Sequence, residues 1–247
     1  MDNEVLLYYD LCGFKNYVLN NGAQKAYELY EPYLTGANFG NKMRMEQFNL
    51  LVLSDTILVQ TKPEVDKKLL EIITFAQREA LDVWHRFIAG GSIDLPIKGA
   101  IGFDEQIFGN YSIISKSVHR PPIISENIQL IIGKTIVRCY EWEKLQDWFC
   151  VSICPEYIES IMEKFEDEFN ILIRNNYLVE YDIPIKENRV KRGYALNNYY
   201  YLHPDLIYQK INAIINSTKD NGIKVKYSNT LKFFDYIRSK NLTVKNF

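Results

Sequence analysis

The sequence predicts an α+β fold in which a sheet is covered by helices. Apolar runs of strand length end at turn residues, and they alternate with stretches whose apolar residues recur every three to four positions. The chain has 247 residues, 47% of them hydrophobic, which is enough for one medium domain with an appended subdomain. Through residue 155 the predicted order is β-α-β-β-α-β-α-β, which is typical of a ferredoxin-like palm core.

Each predicted element has its own signal. The strands predicted through residue 155 are 5–9, 48–53, 56–60, 95–103 and 148–153. The helices predicted between them are 14–34 (with a break at 20–22), 63–89 and 134–146, and a further helix is predicted at 157–174. The polar break Ser54-Asp55 between two strand-like runs predicts a hairpin. Gly99 and Gly102 indicate that a ligand or another backbone comes close to the fourth strand. Residues 104–127 are predicted to be an irregular excursion.

The composition changes after about residue 176. We therefore predict a main domain over residues 1–175 and a C-terminal α/β extension over residues 176–247. The extension is expected to hold two tyrosine-rich strands, at 179–185 and 194–202, joined by a basic turn at 188–192. Two helices, at 204–217 and 228–240, are expected to follow.

The overall composition narrows the class of protein. A formal net charge of −2 gives no support for nucleic-acid or membrane binding, and no run approaches the ~18–20 apolar residues of a membrane span. The chain starts with Met-Asp-Asn-Glu and passes directly into a strand, so a cytoplasmic protein is expected. Free thiols rather than disulfides or a zinc site are expected for the four cysteines, which are Cys12, Cys139, Cys150 and Cys154.

Two aspartates are the strongest functional candidates. Asp10 closes the first strand, and Asp55 lies in the turn of the hairpin. Either residue alone is more typical of a turn or a helix cap than of a metal site. Brought together on neighbouring strands, however, they would form an oxygen-ligand site for Mg²⁺ or Mn²⁺. Gly13 starts a turn that leads into a helix, where the backbone can approach phosphates.

These residues resemble the catalytic domain of class III nucleotide cyclases. The segment from Asp10 to Phe14 is similar to that family's Asp-Ile-x-Gly-Phe motif, and Asp55 falls where the family has its second metal-binding Asp. Residues 97–102 look like its Arg-x-Gly-Ile strand, and residues 133–141 look like its Gly-x-x-Val-Asn-x-Ala-x-Arg helix. The resemblance covers residues 4–155.

The resemblance implies a reaction and a set of ligands. Two Mg²⁺ or Mn²⁺ ions, held by Asp10, Asp55 and the carbonyl of Leu11, would help the ribose 3′-hydroxyl of a nucleoside triphosphate to attack its α-phosphorus. The products would be a 3′,5′-cyclic nucleotide and pyrophosphate. The implied nucleotide-binding residues are Leu11, Cys12, Gly13 and Phe14, with Lys98 as a further phosphate candidate that is also typical of a strand edge. Lys134 and Arg138 are candidates to supply positive charge from the helix by a different geometry, although Arg138 is more typical of a solvated helix residue. Sites of this family form between two protomers, so a homodimer is implied.

The chain also departs from the family. Val137 and Glu141 stand where the family has an Asn and an Arg that stabilise the reacting nucleotide. The polar pair that reads a purine would fall near Leu51 and Leu130, both apolar. A divergent active cyclase is therefore one hypothesis, with room for pyrimidine triphosphates as in bacterial cyclases of anti-phage signalling.

Two further hypotheses stay open. One is a catalytically silent cyclase-like module that binds a nucleotide or regulates a partner. The other is an interaction protein that contacts an acidic partner or nucleic acid through its basic C-terminal residues, although such a run is more often a solvated loop. Those residues are 188–192, Lys224, Lys226, Lys232 and Lys240.

Overall fold

An eight-stranded sheet forms the centre of the structure, a computed structural model that describes residues 3–34, 47–89, 96–115, 123–199, 201 and 203–245. The strands are β1 (Asn3–Leu11), β2 (Phe48–Leu53), β3 (Thr56–Thr61), β4 (Ile97–Ser115), β5 (Ile123–Gly133), β6 (Val151–Ile153), β7 (Leu178–Ile185) and β8 (Arg189–Leu196). The helices are α1 (Phe14–Leu34), α2 (Lys68–Ala89), α3 (Lys134–Leu145), α4 (Ile158–Lys164), α5 (Glu166–Arg174), α6 (Pro204–Ser217) and α7 (Asn221–Ser239).

The sheet is mixed, and seven of its strands follow the order β2-β3-β1-β4-β6-β8-β7. β1 lies antiparallel between β3 and β4, while β4 and β6 run parallel. β5 pairs with the C-terminal part of β4 and lies off this path. Consequently the end of β1 and the beginnings of β3, β4 and β6 all lie at the same edge of the sheet. The predicted α+β fold is confirmed.

The contacts of two tyrosines in β1 show how helices cover the sheet. Neighbouring side chains on a strand point to opposite faces. The Tyr9 hydroxyl donates a hydrogen bond to the carbonyl of Ala76 in α2 at 2.8 Å, whereas the Tyr8 ring packs edge-on against Tyr140 in α3, with ring centroids 6.1 Å apart. Helices α2 and α3 therefore cover opposite faces, and Asp10 lies on the α3 face, two residues beyond Tyr8.

The C-terminal elements extend the same sheet. Ser152 of β6 pairs with Ala195 of β8, and β8 forms a long antiparallel hairpin with β7. Helix α7 packs its aromatic face against both halves of the chain. Its Phe234 contacts Trp84 of α2, and its Phe233 contacts Trp148 at the entrance to β6. The division at residue 176 stays a prediction.

Gly102 of β4 lets α3 approach the sheet. A Cβ atom at this position would lie 2.6 Å from Cys139 Sγ and 2.6 Å from Thr135 Cγ2, both in α3. Gly99 likewise gives room to the β1 backbone, because its Cβ would lie 2.5 Å from the Tyr8 carbonyl oxygen. The close approach predicted at these glycines is therefore made by the protein itself.

Gly102→Ala is expected to destabilise the protein by about 1–3 kcal/mol, the usual effect of overpacking. Urea unfolding followed by circular dichroism would measure this. Adding Cys139→Ala removes one of the two crowded atoms and should recover part of the loss. If Gly102→Ala unfolds at the wild-type urea concentration, the packing described here is contradicted.

The structure corrects several predicted elements. Within the predicted irregular excursion, residues 104–115 and 123–127 are strand and form an antiparallel pair; residues 116–122 lie outside the described residues. The predicted helix 157–174 is two helices, because Phe165 (φ −125°, ψ 39°) interrupts it. The predicted strand 148–153 is regular only at Val151–Ile153, since Trp148 and Phe149 pack onto α7.

Two further predictions concern helix boundaries. The last helix was predicted over residues 228–240 but begins at Asn221, where the Asp220 carboxylate caps it by accepting from the Gly222 and Ile223 amides. The predicted break near residues 20–22 of the first helix is confirmed, because Gly22 has a left-handed φ of 83°. No described helix has the length and apolar character needed to cross a membrane.

Candidate active site

Asp10 and Asp55 lie at the edge of the sheet where β1 ends. Asp10 is paired in register with Thr56 of β3 on one side and with Lys98 of β4 on the other. The Leu11 amide donates to the Asp55 carbonyl oxygen at 2.8 Å, which fixes the β2–β3 turn against the end of β1. Ser54 gives this turn the left-handed backbone that tight hairpins need, with φ 57°. The structure therefore brings the two predicted aspartates together.

The turn after β1 leads directly into α1. Gly13 has φ 90°, a conformation that favours glycine, and its carbonyl accepts the first helical hydrogen bond, from Tyr17 at 3.0 Å. The Cys12 amide donates to the Pro96 carbonyl at 3.0 Å, which joins the turn to the start of β4. The positive end of the α1 dipole therefore lies next to the aspartates.

Cys12 acts as a hydrogen-bond donor in this turn. Its thiol donates to Asp10 Oδ2 at 3.7 Å. Burial, followed by the nearby Asp10 charge, raises the pKa of Cys12 to about 12. The thiol therefore stays protonated near neutral pH, so it orients the Asp10 carboxylate and is not available as a nucleophile.

The Asp10 carboxyl lies in an environment that disfavours its charge. Burial is the largest cause of its raised pKa, and the carboxylates of Glu143 and Asp55 raise it further. The ammonium groups of Lys144 and Lys98 partly oppose this rise. Acidic groups that repel one another at a half-buried position favour the binding of a cation.

A buried ion pair lies directly beside Asp10. Lys98 Nζ and Glu143 Oε1 are 2.6 Å apart, and their side chains are only 5% and 1% exposed. The second carboxylate oxygen, Glu143 Oε2, is also buried and has no hydrogen-bond partner in the described part of the chain. Lys98 is thus held by Glu143 on the α3 face of the sheet.

The end of α3 is fixed by a buried polar cluster centred on Gln146. The Gln146 amide donates to the Gly99 carbonyl at 2.9 Å, and its Oε1 accepts from Trp148 Nε1 at 2.7 Å and from Ser152 Oγ at 2.9 Å. Trp142 of α3 in turn donates to Ser152 Oγ at 2.8 Å. These bonds tie α3 to β4 and β6 and so hold Glu143 in place.

Several solved structures of nucleotide cyclases have a fold similar to that of this chain. The guanylate cyclase domain of RhGC from Catenaria anguillulae, in complex with GTP, is 12% identical with a TM-score of 0.53; the alignment covers 79% of this chain and 96% of that chain. The dimeric guanylyl cyclase domain of RhoGC from Blastocladiella emersonii is 11% identical with a TM-score of 0.53, covering 80% and 97%. The guanylyl cyclase Cya2 is 14% identical with a TM-score of 0.50, covering 81% and 96%.

The chain has the fold of class III nucleotide cyclase catalytic domains. No protein-family model matches its sequence, and no curated protein does so at a significant level. The resemblance drawn from short motifs is therefore confirmed at the level of the fold, at an identity low enough to make this a divergent example.

Within this cyclase fold, Lys134 and Arg138 lie away from the aspartates of their own chain. Glu143 contacts the Asp10 side of the sheet, and Arg138 lies five residues earlier on α3, about 7.5 Å along the helix axis. Arg138 forms ion pairs with Glu141 at 2.9 Å and with Glu156 at 3.1 Å. Lys134 is one further turn away, at the start of the helix.

The structure describes the surroundings of three of the four positions that depart from the cyclase pattern. Val137 is 55% exposed, and Glu141 is exposed and bonded to Arg138. Leu51 is half-buried in β2. The side chain of Leu130 lies outside the described part of the structure.

Several residues at this site were missed by the sequence reasoning. Tyr140, Glu143 and Lys144 of α3 all lie near Asp10, and Lys144 Nζ is 5.4 Å from the centre of the Tyr140 ring. A usable signal existed for Glu143. It stands on the same helix face as the buried Cys139 and Trp142, and a carboxylate on a buried face requires a buried partner.

The basic segment 188–192 was predicted to be a turn, but most of it is strand, because β8 begins at Arg189 and ends at Leu196 rather than running over 194–202. Two of its three basic side chains pair with neighbouring acids. Arg192 bonds to Glu180 at 2.9 Å and to Asp182 at 3.3 Å, and Arg189 lies 3.2 Å from Glu187. These pairs leave less positive charge for an acidic partner or nucleic acid, which weakens the interaction-protein hypothesis for this segment.

Proposed function

We propose that the protein is a divergent, metal-dependent nucleotide cyclase that converts a nucleoside triphosphate to a 3′,5′-cyclic nucleotide and pyrophosphate. The observation that carries the proposal is the position of Asp10. It lies with Asp55 at the edge of a cyclase-type sheet, and its pKa is raised by burial and by the charges of Glu143 and Asp55. A half-buried carboxylate whose charge is disfavoured by its surroundings indicates a cation-binding role rather than a structural one.

The residues present fit Mg²⁺ or Mn²⁺. The described part of the structure has no cluster of three or more His, Cys, Asp or Glu side chains that would enclose a metal by themselves. Mg²⁺ is commonly bound by one or two carboxylates, with water and substrate phosphates as the other ligands. Asp10, Asp55 and the Leu11 carbonyl would supply such a partial set. When bound, two ions would neutralise phosphate charge and lower the pKa of the 3′-hydroxyl.

The reaction needs little covalent chemistry from the protein. The 3′-oxygen bonds to the α-phosphorus, the bond from that phosphorus to the pyrophosphate oxygen breaks, and the hydroxyl proton passes to solvent. This chain's residues would act by positioning. Asp10 and Asp55 fix the charge at the end of β1, the Cys12 thiol orients Asp10, and the start of α1 faces the phosphates.

The proposal includes a homodimer. Arg138 and Lys134 lie too far along α3 to serve the aspartates of their own chain, but a second protomer could present them. The same helix exposes apolar side chains, with Val137 55% and Tyr140 47% accessible. Such exposure on one helix favours a protein contact.

The function is tested by incubating the purified protein with ATP, GTP, CTP or UTP and Mn²⁺, and by identifying products by mass spectrometry. We expect a cyclic mononucleotide that falls at least about a hundredfold in Asp55→Ala, because metal-mediated stabilisation supplies several kcal/mol of the barrier reduction. Asp167→Ala, which changes an exposed aspartate of α5, is the matched control and should retain activity. A product that persists in Asp55→Ala would contradict the assignment.

The choice of base belongs to the same proposal. The apolar Leu51 in place of a purine-reading polar residue favours CTP or UTP, and with them a role in anti-phage signalling. The comparison of the four nucleotides tests the choice of base. A role in anti-phage signalling predicts that a phage forms more plaques on bacteria carrying Asp55→Ala than on bacteria carrying the wild-type protein.

A silent nucleotide-binding module is the second candidate. It is favoured by the ion pair between Arg138 and Glu141, because an acid stands at the family's arginine position and engages the nearby Arg138. In that case nucleotide binding would be measurable by calorimetry, while none of the four triphosphates would give a product.

A further inference from the structure

Helix α7 reaches the same edge of the sheet as the two aspartates. The start of β6 lies beside the start of β4, since the Gly99 amide donates to the Cys150 carbonyl at 3.2 Å. Phe149, one residue earlier, is bound to α7 through its amide, which donates to Thr230 Oγ1 at 2.9 Å. The Cys12 turn is joined to Pro96 at the same end of β4. The N-terminal half of α7 and the Cys12 turn therefore flank one end of β4.

One cation of α7 points to this edge. Lys226 Nζ lies 5.8 Å from the centre of the Phe149 ring, and the neighbouring Tyr227 packs on the same ring with centroids 4.6 Å apart. The Lys226 carbonyl accepts a hydrogen bond from Thr230 Oγ1 at 2.9 Å, and the same Oγ1 accepts from the Phe149 amide. The helical turn from Lys226 to Thr230 is therefore fixed against Phe149. Leu11 pairs with Ile97 of β4, and Gly99 pairs with Val151 of β6, so Phe149 lies across β4 from the residue that precedes Cys12.

Two other lysines of the described structure near the aspartates are placed differently. Lys98 is buried and bound to Glu143, so it cannot reach a phosphate without leaving that carboxylate uncompensated. Lys144 lies over the Tyr140 ring on the α3 face. Lys226 is half-buried, and its contact with Phe149 limits the freedom of its side chain, so less entropy is lost when it binds an anion.

We propose that Lys226 is a phosphate-binding residue of the candidate active site, so that the C-terminal helix completes the subsite for the terminal phosphates of the substrate. This inference rests on the proposed function for the identity of the substrate. It assigns a role to a part of the chain that the cyclase motifs do not cover. A lysine ammonium suits this task because it is a compact point charge that can follow a flexible phosphate chain.

The test measures the binding of inorganic tripolyphosphate, with Mn²⁺ present, to the full-length protein by calorimetry. Lys226→Ala is expected to weaken binding about tenfold or more, the usual effect of removing a hydrogen bond to a charged group. Lys224→Ala, which removes an equal charge from the same helix, should bind like wild type. Lys226→Arg should retain most of the affinity. Thermal unfolding of each variant confirms that it is folded.

The outcomes separate this inference from the proposed function. If wild type binds tripolyphosphate in a Lys226-dependent way but forms no cyclic nucleotide, the phosphate site stands and the cyclase proposal fails. If wild type forms a cyclic nucleotide and Lys226→Ala leaves both KM and tripolyphosphate affinity unchanged, the inference is overturned while the function stands. Equal losses in Lys226→Ala and Lys224→Ala, or no binding by wild type, would also overturn it.

Discussion

Replacing Lys98 by methionine is expected to lower the free energy of unfolding by about 3–5 kcal/mol. The substitution keeps the length of the side chain but leaves the carboxylate of Glu143 buried without its partner, only 1% exposed. Its Oε2 already lacks a hydrogen-bond partner in the described part of the structure, so no local donor compensates for the loss. Urea unfolding at neutral pH, followed by tryptophan fluorescence, would measure the change.

Two further variants test the cause of this loss. Lys98→Met combined with Glu143→Met removes both charges and should recover most of the stability, because burying a pair offers little over apolar residues of the same volume. Arg192→Gln breaks an ion pair that is more than half exposed on both sides and should change stability by less than about 1 kcal/mol. A single Lys98→Met variant as stable as wild type would contradict the buried pair.

Asp10→Asn is expected to abolish the effect of Mn²⁺ on stability and to lower cyclase turnover at least about a hundredfold. Wild type should gain about 2.7 kcal/mol at a free Mn²⁺ concentration of 100 times Kd, which corresponds to roughly 5–10 °C in Tm for a chain of this size. The variant should show no such shift, because the amide removes the charge that binds the ion. Differential scanning fluorimetry with and without Mn²⁺ would measure both.

Without metal, the same substitution should stabilise the protein at neutral pH. The pKa of Asp10 is raised above its ordinary value of 3.8, so the folded state binds this proton more tightly than the unfolded state does. The resulting stability is fully present below pH 3.8 and is lost as pH rises through the raised value. The advantage of Asp10→Asn should therefore appear above this range and fade towards acidic pH.

A matched substitution at an exposed position completes this test. Asp167→Asn should keep the wild-type response to Mn²⁺ and the wild-type pH dependence. An Asp10→Asn protein that is stabilised by Mn²⁺ as much as wild type would show that the ion binds elsewhere.

The elements with a strong local pattern were predictable from the sequence. β1 and the β2–β3 hairpin are apolar runs that end at Asp10 and at Ser54-Asp55, and both are present with nearly the predicted bounds. The α2 helix has an uninterrupted apolar stripe and was predicted a few residues too early. Local patterns succeed here because burial on one face leaves a period that the sequence displays directly.

The two features that the sequence did not predict, the helix break at Phe165 and the β4–β5 pair, have physical causes as well. The break at Phe165 is invisible to periodicity, because Phe165 and Phe169 both remain buried and so continue the apolar spacing across it. The acidic residues at the start of α5, which favour a new helix N-terminus, were the usable signal. The β4–β5 pairing was missed since it depends on partners that periodicity within one segment cannot reveal.

The candidate site was predictable only in part. The two aspartates follow from strand ends, whereas the partner of Lys98 is 45 positions away on a helix, and Lys226 approaches from the far end of the chain. Such contacts depend on the tertiary arrangement and leave no local trace. The ion pair between Lys98 and Glu143 could not be predicted from the sequence for the same reason.

The single residue pair that joins β6 to β8 has a consequence for any shortened form of this protein. A chain that stopped at residue 175 would leave the outer edge of β6 without a partner and would uncover Trp84 and Trp148, whose rings rest on α7. An open strand edge beside exposed aromatic surface is a template for aggregation. Preparations trimmed to the motif-bearing region would therefore be prone to insolubility, and a lack of activity in them would say nothing about the catalytic residues.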